Sequence, residues 1–272
     1  MTMMTMRIET RWILRAAAIV VLFCAPVVWA QSTPAPLNKV LDRASERVIA
    51  FLDLFSDVKC TEHVDQEKFH PNGKTEIEMQ STYDYLVILT NAGGELTLNE
   101  SRLPVKEGKV HSLKTVSMLV SNGFATLFLI FHPYYFNSFE FTDAGTESLD
   151  GHLARKVEFH HVPNTRSPAA LALRGREYPL DLSGTAWIDP ETGDLLRLDA
   201  GIGSTLEDIG MKTLKSSTRF ASVTFSKDQP TYWFPAESII EVETPRQHWR
   251  NTHRFTAYKQ FSVSTEEHVA QK

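Results

Sequence analysis

The chain has 272 residues, of which 42% are hydrophobic and 22% are charged, and these fractions are ordinary for a globular protein. They argue against a disordered chain and against a membrane protein with many spans. The formal net charge of −5 gives no electrostatic basis for binding nucleic acid.

Residues 1–30 have the layout of a secretory signal peptide. Three arginines lead into an apolar run from Ala16 to Val28, and the small residue Ala30 precedes the expected cleavage point. The run is shorter than the roughly 20 residues that a spanning helix needs. We therefore expect a periplasmic protein without a stable membrane span once the signal is removed. An extracellular or signal-anchored protein is the alternative.

After a short leader at residues 31–36, the sequence predicts an amphipathic helix over Leu37–Phe55. Apolar residues recur there at intervals of three and four. From Val58 the period changes to two, which predicts the first of a series of strands. Cys60 lies on the apolar side of this strand, and we interpret it as a buried structural thiol.

Further strands are predicted wherever alternating apolar residues are bounded by turn residues. A polar loop is expected at 163–183, between the predicted strands 153–162 and 184–189. The predicted strands are 77–89, 95–103, 153–162, 184–189, 195–200, 217–225, 234–244 and 252–263.

The segment 116–131 differs because it is almost entirely apolar and does not alternate. We predict a short buried helix from Phe124 to Phe131, stopped by His132–Pro133. An aromatic concentration follows at 134–141. It is either hydrophobic core or the lid and mouth of a site for an apolar ligand.

These elements predict a mainly β (α+β) fold with one domain over residues 37–265 and a polar tail at 266–272. A curled antiparallel sheet would form an open half-barrel. The N-terminal amphipathic helix and the short apolar helix would lie on its concave face.

This arrangement resembles the bacterial periplasmic outer-membrane lipoprotein carrier and sorting family. The resemblance rests on the signal peptide, the helix that leads directly into the first strand, the helical material over one face of the sheet, and the hairpin Gly184–Gly193 with its sequence GTAWIDPETG. In these carriers, acyl chains bind in the apolar concavity under the helices. The resemblance therefore implies that the protein handles a lipid, an acyl chain or a lipoprotein.

No motif in the sequence combines a nucleophile with a general base. The sequence has no Gly-x-Ser-x-Gly elbow, no His-Glu-x-x-His helix and no glycine-rich phosphate loop. The ten histidines are dispersed, and His248 and His253 are expected in the last hairpin loop. We predict no catalytic residue, no metal site and no cofactor, with a hydrolase as the least favoured alternative.

The expected acyl-chain cavity would be lined by aromatic side chains from the helices and strands. Trp187 is ambiguous, because it could be a residue at the mouth or a structural plug. The candidate cavity residues are Phe51, Phe55, Tyr83, Tyr85, Phe124, Phe128, Phe131 and Trp187.

A polar contact to the ligand head group, or a gate, is expected from Glu62, Glu100 and Arg102. Each shares a strand face with apolar residues, so the three would form a partly buried cluster if those faces turn toward the concavity. The alternative is that each strand simply ends at solvent there.

The second functional hypothesis is a regulatory or scaffold module that uses the same half-barrel to bind a protein partner. In this hypothesis the strand at 252–263 is an exposed edge that accepts a strand of the partner.

Overall fold

The computed structural model describes most of the chain after residue 34, with short gaps. The predicted signal peptide, residues 31–34 of the leader, the polar tail and the turn glycines 93 and 94 lie outside the described part. Within that part, no helix is both long and apolar enough to cross a membrane. The described residues are 35–92, 95–106, 124–173, 176–202, 206, 210–227 and 230–261.

Helix α1 spans Leu37–Phe55, as the periodicity predicts. It buries one apolar stripe, and its last turn is tied to the strands that follow. The Ser56 hydroxyl donates to the Leu52 carbonyl and accepts from the Leu89 amide, and the Asp57 carbonyl accepts from the Phe261 amide. The buried residues of α1 are Val40, Leu41, Ala44, Val48, Leu52 and Phe55.

The strands predicted from the sequence are present, several of them longer than predicted. Between Lys106 and Phe139 the chain forms a 3₁₀ helix at Phe124–Phe131 and a short helix α2 at Pro133–Phe136. The strands are β1 Val58–Phe69, β2 Thr75–Ala92, β3 Glu95–Lys106, β4 Phe139–Leu149, β5 His152–His161, β6 Ala170–Leu173, β7 Arg176–Pro179, β8 Leu182–Ile188, β9 Leu195–Ile202, β10 Thr213–Val223, β11 Tyr232–Glu243 and β12 His248–Gln260.

Ten of the described strands form one antiparallel sheet in the order β3-β2-β1-β12-β11-β10-β9-β8-β5-β4. The sheet does not close, because β3 and β4 are its two edges, and the predicted open half-barrel is confirmed. The chain passes from one edge to the other between β3 and β4, and the 3₁₀ helix in this connection packs on the core. We call the face that contacts α1 and this helix the concave face.

The concave face is set by the alternation of side chains along each strand. On β1, burial alternates from Val58 to Gln66, and Val58 and Cys60 on the buried side pack in one cluster with Phe55 of α1. Across β12 the matching positions are Phe255, His253 and Asn251, which stand opposite Glu62, Val64 and Gln66. Both apolar and polar side chains therefore line this face.

Two predictions about β12 are wrong. The strand lies between β1 and β11, so it is an inner strand and not an exposed edge. His248 and His253 lie on this strand and not in a hairpin loop. The reason is that β12 pairs with β1 from the other end of the chain, and local patterns do not show such a distant partner.

Other differences concern the connections between strands. The segment 163–183 contains the hairpin β6–β7, where only a loop is predicted. The 3₁₀ helix ends at Phe131, before His132–Pro133, as predicted. Pro133 then starts the separate helix α2, because its missing N–H is not needed at a first helical position and His132 caps the helix. The aromatic segment 134–141 includes most of α2 and the start of β4, a strand that is not among those predicted from the sequence.

Candidate functional site

Helix α1, the 3₁₀ helix and the sheet meet in a core of aromatic rings. The ring centroid of Phe51 lies 4.6 Å from that of Phe128 on the 3₁₀ helix and 5.0 Å from that of Phe55. Phe55 in turn lies 6.4 Å from Tyr85 on β2. Phe131 packs further along the sheet, against Phe159. The structure thus brings five of the candidate cavity residues into one core.

The remaining candidates differ in position. Tyr83 is half-buried and stands opposite Glu62 in the β1–β2 pairing, so it shares the concave face. The side chain of Phe124 lies outside the described part of the structure.

Trp187 does not line the concavity. Its neighbours Ala186 and Ile188 belong to the main core, and alternation along β8 turns Trp187 to the opposite face. There its indole N–H donates to Glu147, and the guanidinium of Arg197 lies 4.7 Å from the ring centroid. Of the two alternatives for this residue, a structural role fits its position.

Among the described residues, a cavity of about 20 Å³ lies where α1 and the 3₁₀ helix meet the sheet, next to Val48, Phe51, Phe128 and Phe220. This volume is close to that of a single water molecule. This cavity is too small to hold an acyl chain unless the side chains around it move.

Glu62, Glu100 and Arg102 come together on the concave face, as their strand faces predict. Arg102 donates to both carboxylate oxygens of Glu62, at 2.6 and 2.9 Å, and its Nη2 lies 2.9 Å from a Glu100 oxygen. The side chains of Glu62 and Glu100 are 0% and 4% exposed. The Arg102 guanidinium also lies over the Tyr85 ring, 5.0 Å from its centroid. We call these three charged residues the ionic cluster.

The ionic cluster has a further member that the sequence analysis missed. The Nδ1 atom of His253 lies 2.7 Å from a carboxylate oxygen of Glu62, and the imidazole is buried. The two residues are 191 positions apart. Only the pairing of β1 with β12 brings them together, so no local signal could have identified His253.

Burial and hydrogen bonding oppose each other in the ionic cluster. Burial by itself would raise the pKa of Glu62, but hydrogen bonds from His253 and Arg102 outweigh it and lower this pKa. Burial would lower the pKa of Arg102, whereas its bond to Glu62 and the charge of Glu100 raise it. Glu62 and Arg102 are therefore both charged at neutral pH.

The lowered pKa of Glu62 predicts that this residue stabilises the fold at neutral pH and loses that effect in acid. The unfolded state takes up the proton first, so stability falls as the pH drops below about 4.3, the ordinary value for glutamate. We expect Glu62→Gln to remove this part of the pH dependence. Urea unfolding of both proteins at neutral pH and at about pH 3.5 would measure it. Equal losses in the wild type and the variant would contradict the prediction, and Glu158→Gln at an exposed position on β5 is the control.

Cys60 lies on the same face, beside the ionic cluster. It is buried and free, and burial raises the pKa of its thiol to about 12. The thiolate that reacts as a nucleophile or a metal ligand is therefore suppressed. Among the described residues, no three or more His, Cys, Asp or Glu side chains are arranged to hold a metal ion.

The turn between β8 and β9 attaches α1 to the sheet. Arg43 donates to the Pro190 carbonyl at 2.5 Å, and Arg47 pairs with the buried Asp194. Gly193 packs directly against the α1 backbone, with a φ of +79°. This turn belongs to the hairpin that carries the sequence resemblance, and its contact with the helix gives the hairpin a structural role.

Comparisons with known proteins found matches only among solved structures. No protein-family model and no curated protein matches the chain. Over 85% of its length the chain is similar to 95% of a DUF1329 family protein from Desulfovibrio piger, with 14% identity and a TM-score of 0.42. The same shares hold for an outer membrane lipoprotein-sorting protein domain from Vibrio parahaemolyticus, with 16% identity and a TM-score of 0.43.

A third match is the lipoprotein LppX of Mycobacterium tuberculosis. It has 10% identity and a TM-score of 0.26, over 85% of this chain and all of the other. The solved structures to which the chain is similar thus include a lipoprotein-sorting domain and a lipoprotein, each with a TM-score below 0.5.

Proposed function

We propose that this protein is exported to the periplasm and binds an acyl chain of a lipid or lipoprotein on the concave face of the half-barrel, without catalysis. One observation carries the proposal. The 3₁₀ helix that crosses this face is apolar except for Thr126, and its apolar side chains pack in the core. Those buried in the core are Ala125, Leu127, Phe128, Leu129, Ile130 and Phe131.

A segment of this kind can be exchanged for a ligand. Its side chains bury apolar surface that an acyl chain could bury in their place, at about 0.8 kcal/mol for each methylene group removed from water. Helix α1 is tied to the sheet at its C-terminal end by Ser56 and Asp57, and nearer its middle Arg43 and Arg47 contact the turn at Pro190–Asp194. We therefore assign the movement to the 3₁₀ helix and a fixed role to α1.

The ionic cluster provides a polar element beside this apolar core. A buried guanidinium paired with two carboxylates can accept the polar head group of a lipid, or it can hold β1, β2, β3 and β12 together next to the ligand. Glu62, Glu100 and Arg102 are accordingly proposed as the head-group contact or gate.

The experiment is native mass spectrometry of the protein purified from a periplasm without detergent, before and after addition of palmitate. We expect co-purified or added acyl species, and faster amide hydrogen exchange at 124–131 in the loaded protein, because the 3₁₀ helix leaves the core. Exchange at the paired outer ends of β1 and β2, residues 65–69 and 75–79, should stay unchanged and serves as the internal control, because these ends lie outside the core that the 3₁₀ helix joins. A clean mass with no uptake of palmitate would contradict the proposal.

The second candidate function is binding of a protein partner, and an edge strand favours it. Leu103 and Val105 on the edge strand β3 are 60% and 54% exposed, which is unusual for large apolar side chains on a free sheet edge. A partner strand added at β3 would cover them. A native mass spectrum that shows no bound lipid would favour this second function.

A further inference from the structure

The sheet is split between β11 and β12. Their ladder runs from Glu243 and His248 to the pair Glu237–Arg254. Beyond that pair, within the described strands, residues 232–235 of β11 pair with β10, residues 256, 259 and 260 of β12 pair with β1, and neither segment pairs with the other. Two inner strands therefore separate in the middle of the sheet.

The separation has a cause in the sequence. Pro235 has no N–H to donate to a neighbouring strand, and a register shift beside it leaves Ala236 out of the ladder with β10. On β12, Ala257 has a φ of +52°, which belongs to the left-handed region and interrupts an extended strand. The Tyr258 hydroxyl crosses the opening and donates to the Pro235 carbonyl at 2.6 Å.

A cavity of about 300 Å³ lies in this opening, which we call the slot. Its rim is exposed at Ala221, Ser222, Thr256 and Ala257, and buried Phe234 lies in its wall. No residue that lines the slot carries a charge. Small side chains thus leave the space open, and aromatic side chains form its apolar wall.

The slot adjoins the core of the proposed lipid site. The Phe234 ring lies 5.3 Å from Phe51 and 5.5 Å from Phe55, centroid to centroid. The cavity between α1 and the sheet measures only about 20 Å³, so the slot offers far more room without any movement of a helix. A ligand can therefore contact the aromatic core through the slot first.

We propose that the slot binds a single alkyl chain, which enters the sheet sideways between β11 and β12. The lining favours this ligand over an extended peptide. A peptide strand needs regular backbone partners, and Pro235 and the left-handed Ala257 interrupt the ladder on both sides. An alkyl chain needs only apolar surface. The inference rests on the proposed function, and it names the place where the alkyl chain first binds.

The test uses palmitate that carries a photoreactive diazirine at its methyl end. After irradiation, we expect the label on peptides that contain residues 221–223, 234–236 or 255–258. Ala236→Phe should weaken binding by about tenfold or more, because the ring takes the place of several methylene groups. Ala144→Phe, the same change at an exposed position on β4, should bind like the wild type.

Thr256→Trp is a second variant, because it blocks the exposed rim without entering the core, and it should also weaken binding. If the label appeared only on α1 and the 3₁₀ helix, and all variants bound palmitate equally, the slot would not be the binding site. The proposed function would be unaffected by that result. No uptake of palmitate by the wild type would overturn both.

Discussion

Replacing Arg102 with leucine is expected to destabilise the protein by about 3 to 5 kcal/mol, the usual cost of breaking a buried ion pair from one side. Arg102 is the cation between the buried carboxylates of Glu62 and Glu100. Without it, two negative charges would remain close together in a medium that solvates them poorly. Urea unfolding at neutral pH would measure the loss of free energy.

The control for this variant is Arg219→Leu. Arg219 also pairs with a glutamate across neighbouring strands, but its side chain is 54% exposed, so the change should cost less than about 1 kcal/mol. Similar losses of unfolding free energy in the two variants would contradict the prediction that burial makes the Arg102 ion pair costly to break. If Arg102→Leu remains folded, its retention of palmitate tests the proposed head-group contact, and unchanged retention would contradict that role.

Replacing Gly193 with alanine is expected to cost about 3 to 4 kcal/mol, from a left-handed backbone and a steric clash together. The backbone has a φ of +79°, and a Cβ atom there would lie 2.5 Å from the carbonyl group of Arg43 on α1. The turn would have to move away from the helix, which would also strain the contacts of Arg43 and Arg47. Thermal and urea unfolding would measure the effect.

Gly145→Ala separates the two contributions. Gly145 on β4 also has a positive φ, +91°, but a Cβ atom there would meet nothing within 4 Å. This control should therefore cost only the backbone part, about 1 to 2 kcal/mol. If the two variants lost the same free energy, the close approach of the turn to α1 would be unimportant.

Local periodicity was sufficient to predict the elements that are regular and amphipathic. Helix α1 begins and ends as predicted, because its apolar stripe repeats at helical spacing and the period changes at Val58. The same alternation put Glu62 and Arg102 each on a strand face with apolar residues, but left open whether those faces turn inward or end at solvent. It could not show that they form a bidentate pair, since that depends on the register of three strands.

The order of the strands was decided by tertiary structure. The strand β12 became an inner strand because it pairs with β1 across nearly the whole chain, and this pairing also brings His253 to Glu62. Trp187 faces away from the concavity because the neighbours Ala186 and Ile188 fill the core. Contacts of this kind depend on which distant segments meet, and a one-dimensional pattern does not contain that information.

The sequence by itself thus determined an amphipathic helix, a series of amphipathic strands and an open half-barrel. These follow from side-chain alternation, which acts over a few residues. Tertiary structure alone decided the ionic cluster, the attachment of α1 to the β8–β9 turn and the slot between β11 and β12. Each of these depends on the registers and close approaches of segments that are far apart in the chain.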